Sequence, residues 1–192
     1  MSLRIFLVDQ DSARSAILEQ ALHDAGHRVI ARIKHGHNLL RELKECQPDI
    51  VIMDLEAPGR DTLEQMREIS RDQPKPIILF SNKRDSDYIR QAVQAGVSAY
   101  VVDGLSQERI MPIVEVAMAR FREFEALKRE LQETKNQLAD RKVVDKAKGI
   151  LMQLKGLSED DAYQLLRKTA MSRNMRIADV ARTLLTLEGL DN

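Results

Sequence analysis

The sequence of 192 residues has no tryptophan and only one cysteine, and aromatic residues make up 4% of it. The single cysteine, Cys46, excludes an internal disulfide and fits a reducing compartment. The shortage of aromatic side chains argues against a protein that stacks bases on an aromatic sheet. The apolar run at residues 5–8 is too short for a signal peptide or a membrane span. We therefore expect a soluble cytoplasmic protein without a membrane anchor.

The chain also lacks a net charge, because 30 lysines and arginines balance 30 acidic residues. A neutral total excludes a generic polyanion binder, although it can hide a basic patch on part of the surface. Charged residues reach 31%, which favours long exposed helices, and hydrophobic residues reach 43%, which is enough for a core. The length allows one large or two small domains.

Five short apolar runs alternate with helical patterns in the first half of the chain. They lie at residues 3–8, 29–33, 50–53, 76–80 and 99–102. This alternation predicts a parallel five-stranded sheet with right-handed crossovers and helices on both faces. Functional groups in such folds lie at the carboxyl ends of the strands. Those ends carry Asp9, Asp54, Ser81 and Asp103.

A long helix is predicted from Gln107 to about Leu154. It contains no glycine before Gly149, and Pro112 lies near its start, where a first-turn proline is tolerated. Side chains at alternating spacings of three and four form a short coiled-coil seam: Phe124, Leu127, Leu131, Thr134 and Leu138. The seam favours a homodimer. The alternative is a solvated linker that packs on its own N-terminal domain.

Two shorter helices follow and complete a small all-α domain of three helices. The first begins at Ser158, where Asp161 makes an imperfect capping box, and it ends near Asn174. The second covers residues 177–187. The end of the long helix carries several cations, followed by Gly149 and the apolar residues 150–152, which we predict to be core.

The first half resembles the receiver domain of two-component response regulators, whose fold is flavodoxin-like. The resemblance covers residues 3–118 and lies in the segments LVDQDS (7–12), PDIVIMDLEAPGRDTL (48–63), PIILFS (76–81) and AGVSAYVV (95–102). It implies that Asp54 is a phosphoryl acceptor, that Asp9 and Asp54 bind Mg²⁺, and that the Ser81 hydroxyl reads the phosphate. No other cofactor is expected, and Mg²⁺ is possible rather than required.

Two positions depart from the receiver pattern. Gln10 stands where a second acid is expected, although Asp11 is adjacent, and Asp103 stands where a lysine is expected. An aspartate there would repel a phosphoaspartate. Two accounts remain: a receiver phosphorylated by a sensor kinase, or an atypical receiver that serves as a docking and dimerisation scaffold. The missing lysine favours the second.

Residues 140–185 resemble the ANTAR domain, the RNA-binding module of response-regulator antiterminators. The motif AKGILM (147–152), the Ala162…Leu166 pair and Val180-Ala181 carry the resemblance. With a receiver that lacks its lysine, the chain is most similar to antiterminators of nitrate and nitrite assimilation. This implies that a ligand-sensing partner controls a dimer, which binds two hairpins in a leader mRNA and prevents terminator formation.

These resemblances predict three parts: an atypical receiver at 1–118, a coiled-coil linker helix at 119–138 and an ANTAR domain at 139–192. Enzymatic activity is not expected. The candidate RNA-binding residues are Arg141, Lys142, Lys146, Lys148, Arg167, Lys168, Arg173 and Arg176.

Two alternatives stay open for the C-terminal helices. Their cations can be simple solvated faces of a helical bundle. The last two helices also superficially match a DNA-binding helix-turn-helix, although the second has only Arg182 and Thr183 as main donors.

Overall fold

The computed structural model describes residues 2–9, 12–34, 39–55, 58–102 and 107–188. The chain divides into two compact units, Met1–Glu125 and Ala126–Asn192, which we call the N-terminal unit and the C-terminal unit. No helix in the described part of the chain is long and apolar enough to cross a membrane.

The N-terminal unit is an α/β fold with a parallel sheet, as the alternating pattern predicted. Its five strands are ordered β2-β1-β3-β4-β5. The elements in chain order are β1 (Arg4–Asp9), α1 (Ser12–Asp24), β2 (Arg28–Lys34), α2 (Leu39–Cys46), β3 (Ile50–Asp54), α3 (Arg60–Asp72), β4 (Ile77–Ser81), α4 (Ser86–Gln94), β5 (Ala99–Val102) and the first part of α5 (Gln107–Lys155).

The central strands are buried on both faces, which explains their unbroken apolar sequences. Alternate residues enter separate core clusters, because successive side chains on a strand point to opposite faces. Met53 and Leu79 pack in the cluster that includes residues of α2, α3 and α4. Ile52 and Phe80 pack in the cluster that includes residues of α1 and α5. Burying a side chain of this size contributes about 1.5–3 kcal/mol.

Gly96 fixes the entry into β5. Its φ is +98°, and a Cβ atom at this position would lie 2.5 Å from the Ser70 Oγ of α3. Only glycine meets both the conformational and the steric requirement at this site. The close approach places the loop that leads into β5 beside α3.

The long helix α5 is continuous over 49 residues, which confirms the predicted helix. Pro112 is the sixth residue of α5, so the expectation of a first-turn proline is wrong. Its missing N–H removes the hydrogen bond that residue 112 would donate to the Glu108 carbonyl. The helix nevertheless continues through this point.

The C-terminal unit packs the end of α5 against α6 (Glu159–Arg173) and α7 (Ile177–Leu187). Its fully buried centre contains three alanines, which allow the helices to approach closely. The buried members of this core are Ala147, Leu151, Ala162, Leu166 and Ala181. A three-helix domain was predicted here, and the structure has it.

The prediction that residues 150–152 are all core is wrong in part. Leu151 is 5% exposed, whereas Ile150 is half-buried and Met152 is 39% exposed. Neighbouring residues on a helix are about 100° apart, since a turn takes 3.6 residues. Only Leu151 of the three points directly at α6 and α7.

The ends of α6 agree with the sequence. Ser158 caps its first turn, because the Ser158 hydroxyl oxygen accepts from the Asp161 N–H at 3.1 Å. Asn174 ends the helix in the left-handed conformation, with φ 51°. Asparagine adopts this conformation more readily than most side chains.

Two arginines and two aspartates form an ion-pair network that ties α7 to α5. Arg176 donates to both oxygens of Asp179 at 3.0 and 3.1 Å and to Asp140 Oδ2 at 3.1 Å. Arg182 donates to Asp179 Oδ1 at 2.8 Å and to Asp140 Oδ1. Asp140 lies on α5, so each guanidinium bridges a long sequence separation.

This network predicts acid sensitivity of the C-terminal unit. The hydrogen bond from Arg176 lowers the pKa of Asp179 from its ordinary value of 3.8. A lowered carboxyl pKa stabilises the fold above that ordinary value and ceases to do so as the pH falls through the folded-state pKa. The melting temperature, followed by circular dichroism, should therefore be level between about pH 7 and 5 and fall below about pH 4.

The variant Asp179→Asn should have a lower melting temperature at pH 7. Below about pH 4, its melting temperature should fall less steeply with pH than that of the wild type. Glu133→Gln, at an exposed α5 position without an ion pair among the described residues, is the matched control. If the melting temperature of Asp179→Asn falls with pH as steeply as that of the wild type, this network does not cause the loss of stability in acid.

Candidate nucleic-acid interface and acidic sheet edge

The carboxyl ends of three neighbouring strands bring Asp9, Asp54 and Ser81 to one edge of the sheet. Asp9 and Asp54 are register partners across β1 and β3. Asp54 pairs with Phe80 of β4, the residue before Ser81. All three side chains are buried, with at most 4% of each exposed. Three of the residues that the sequence pointed to are thus brought together.

Three other predicted positions at this edge, Gln10, Asp11 and Asp103, lie outside the described residues. Their roles stay predictions.

The donor chemistry of the edge fits Mg²⁺. Neighbouring strands lie about 4.8 Å apart, so the Asp9 and Asp54 carboxylates start from adjacent positions. Mg²⁺ typically takes one or two protein carboxylates and keeps several waters. No cluster of three or more metal-binding side chains occurs within the described ranges. Asp9 and Asp54 are the residues that would hold the ion.

Sequence reasoning missed a cluster beside Ser81. The Ser81 hydroxyl accepts from the Lys83 N–H at 3.1 Å, and the Tyr100 hydroxyl donates to the Lys83 carbonyl at 2.8 Å. The Lys83 ammonium lies 4.0 Å from the centre of the Tyr88 ring, and the two tyrosine rings meet edge to face. Burial raises the pKa of Tyr88 to about 12. The cluster connects the acidic edge to β5 and α4.

Six of the eight predicted RNA-binding residues are exposed cations on the outside of the C-terminal unit. They are Arg141, Lys142, Lys146, Arg167, Lys168 and Arg173. None of the six has a carboxylate within ion-pair distance in the described part of the chain. Their side chains are therefore open to an external anion, while the Arg141 charge also helps to lower the pKa of Asp145.

The other two predicted cations are held within the fold. Lys148 is 16% exposed and contacts Asp145 at 2.8 Å and Glu159 at 2.7 Å. It therefore joins α5 to α6, and both contacts raise its pKa. Arg176 belongs to the network with Asp140 and Asp179. An RNA-binding role for Lys148 and Arg176 stays a prediction, but these two residues also support the fold.

The main polar donors of α7 are also engaged within the unit. Arg182 contacts Asp140 and Asp179, and the Thr183 hydroxyl donates to the Asp179 carbonyl at 2.9 Å. A recognition helix needs such donors near its start, directed at base edges. The arrangement of α7 is therefore poorly suited to reading a DNA major groove.

Two further residues of this unit were not among the candidate RNA-binding residues chosen from the sequence. Tyr163 is the only aromatic residue in 126–192, and it is 38% exposed beside the cations of α6. Gly149 lies inside α5, where glycine costs about 1 kcal/mol relative to alanine. The signals were present: an isolated aromatic in one case, a glycine within a helical pattern in the other.

The predicted coiled-coil seam is exposed on α5. Phe124, Leu127, Leu131 and Leu138 each expose 55–60% of their surface. At the polar position of the seam, the Thr134 hydroxyl donates to the Glu130 carbonyl at 2.9 Å. Large apolar side chains in a row are unusual on a surface that faces only water.

Comparisons with known proteins agree with both resemblances. Residues 5–115 match the response regulator receiver domain and residues 132–185 match the ANTAR domain. The transcriptional regulatory protein PdtaR of Mycobacterium tuberculosis is 30% identical over 186 residues, which is 97% of this chain and 91% of that protein. The nitrate regulatory protein of Klebsiella oxytoca is 37% identical over 83 residues, which is 43% of this chain and 20% of that protein.

Among solved structures, a LuxR-family two-component response regulator from Aurantimonas is similar to the chain at a TM-score of 0.56 and 27% identity. The match covers 62% of this chain and 86% of the other. The relatives named here are regulators rather than enzymes. The chain belongs to the response regulators that combine a receiver domain with an ANTAR domain.

Proposed function

We propose that this response regulator is an RNA-binding transcription antiterminator. It binds paired hairpins in a leader mRNA through its ANTAR domain and thereby prevents formation of a terminator stem. Its atypical receiver is controlled by a partner protein rather than by a phosphoryl group. The six exposed cations of the C-terminal unit, which have no ion pair within the described residues, are the observation that carries the proposal.

The geometry favours RNA over duplex DNA as the ligand. The free cations lie on α5, on α6 and at the end of α6, whereas the donors of α7 are bound within the fold. Hairpin loops offer unpaired bases and phosphates that helical side chains can contact without entering a groove. Tyr163 adds a ring on which an unpaired base can stack beside Arg167.

A homodimer follows from the exposed seam of α5. Pairing two copies would cover Leu127, Leu131 and Leu138, each of which contributes about 1 kcal/mol or more when fully buried. Two linked ANTAR domains can then engage two hairpins on one transcript. The second contact becomes intramolecular and gains from its effective concentration.

Antitermination follows from base-pairing competition. A leader can fold into the bound hairpins or into a terminator that uses some of the same nucleotides. A protein that binds only the first form shifts the equilibrium by its differential affinity for the two. No catalytic step is needed for this effect.

Partner control is supported by the sequence of the receiver. Mg²⁺ at Asp9 and Asp54 would screen the charge of a phosphoryl group. Asp103 offers a carboxylate where a receiver has the lysine that pairs with that phosphate. The receiver therefore lacks the cation that would pair with a phosphoryl group on Asp54. For this reason, control of RNA binding by a ligand-sensing protein docked on the receiver is better supported than control by phosphorylation. A sensor kinase remains the alternative input.

Removal of three free cations should weaken RNA binding strongly. In the variant with Lys142, Lys146 and Arg167 all changed to alanine, affinity for a two-hairpin leader RNA should fall at least about 100-fold. The slope of log affinity against log salt should become shallower by about 2–3, since each phosphate contact contributes about 0.7–0.9. Filter binding across a salt series measures both quantities.

The matched control removes the same charge from other exposed or half-buried positions. It changes Arg67, Lys75 and Lys135 to alanine. Its affinity and salt slope should stay near those of the wild type. Equal losses in both variants, or tighter binding of wild type to duplex DNA of the same sequence, would contradict the proposed function.

Phosphorylation should not control RNA binding. Treatment with acetyl phosphate and Mg²⁺ should change RNA affinity less than twofold, and Asp54→Asn should bind RNA like the wild type. Phosphate-affinity gels and filter binding on the same samples test this. If phosphoryl labelling depends on Asp54 and changes RNA affinity tenfold or more, then phosphorylation rather than a partner protein controls RNA binding.

A further inference from the structure

Gly149 occupies a position in α5 that nothing inside the described structure explains. It lies within the helix, six residues before its end, and its φ is not positive. A Cβ atom added to Gly149 would meet nothing within 4 Å. Neither close packing nor backbone conformation therefore requires glycine, although glycine is among the least favourable residues in a helix interior.

The surroundings of Gly149 form a polar stripe along α5. Lys142, Lys146, Gly149 and Gln153 are spaced by four, three and four residues, so they lie on one face of the helix. Asp145, four residues before Gly149, lies on the same face, but its carboxylate contacts the Lys148 ammonium at 2.8 Å. Met152, three residues after Gly149, lies at the edge of this face and is 39% exposed. The opposite face carries the buried Ala147 and Leu151. The two lysines and Gln153 are exposed, and neither lysine has an ion pair within the described residues.

We infer that the ribose–phosphate backbone of RNA comes into contact with the main chain of α5 at Gly149. The missing side chain leaves room for this approach. On one side of Gly149, Lys142 and Lys146 neutralise phosphates. On the other side, the Gln153 amide forms a hydrogen bond with a ribose hydroxyl or a phosphate oxygen. The inference rests on the proposed RNA-binding function and assigns the place where the RNA comes closest to the protein.

A second copy of the chain is a poorer occupant of this stripe. A symmetric helix pair there would bring lysines against lysines, and like charges repel. Met152 is the one exposed apolar side chain beside the stripe in residues 142–153, whereas helix pairs in water are held by continuous apolar seams. The exposed leucines of the seam end at Leu138, one turn before Lys142 on the same face of α5, and lysines take their place from there. A polyanion matches the charge and the open space together.

The test separates stability from binding. Gly149→Ala should raise the melting temperature by about 3 °C, because alanine favours the helix and meets no obstacle. The same change should weaken binding to a two-hairpin leader RNA about tenfold at 0.15 M salt. Gly149→Gln, with a longer side chain, should weaken it at least 50-fold while remaining folded.

Asn136→Ala is the matched control, because it improves helix propensity at an exposed α5 position outside the stripe. It should be stabilised without loss of RNA affinity. If the wild type binds RNA and Gly149→Ala binds it with equal affinity, the inference is wrong and the proposed function stands. Dissociation of a dimer by Gly149→Ala would overturn it in favour of a protein contact. Failure of the wild type to bind RNA would remove the proposed function itself.

Discussion

The structure depends on one helix, α5, that must satisfy packing requirements in both units. Its first part buries Ile110, Val114 and Ala117 in the core of the receiver. Its last part buries Ala147 and Leu151 in the ANTAR domain. Between these two parts, the large apolar side chains of the seam stay exposed. This constraint gives the regulator its exposed seam and places the basic face of the ANTAR domain on a helix that begins in the receiver.

Charge pairing then determines which cations of the ANTAR domain are available. Lys148, Arg176 and Arg182 form ion pairs with carboxylates, and these pairs connect the three helices. Solvent screens exposed pairs of this kind and keeps the stability that each adds small, so the network acts chiefly by tying α7 to α5. The cations left over lie on the outer faces of α5 and α6. The fold thereby separates side chains that hold the domain together from side chains that can bind a polyanion.

Local sequence signals predicted most of the fold. Apolar runs gave the five strands, and Ser158 and Asn174 gave the ends of α6, because strand burial and helix capping depend on neighbouring residues. Asp145 and Asp179 are three residues from Lys148 and Arg176 and follow from helix spacing, whereas the distant partners of these two cations could not be predicted in this way. Glu159 is 11 residues from Lys148, and Asp140 is 36 residues from Arg176. The Lys83–Tyr100 contact likewise requires β5 to lie beside β4. The three domain boundaries and the roles of the site residues stay predictions.

The central claim is that a dimer of this regulator holds two hairpins of one RNA. Native mass spectrometry with parallel affinity measurements on one- and two-hairpin leader RNAs tests it most directly. The account predicts two chains per two-hairpin RNA and a loss of about 100-fold or more in affinity when one hairpin is removed. One chain per hairpin, with equal affinity for both RNAs, would contradict it.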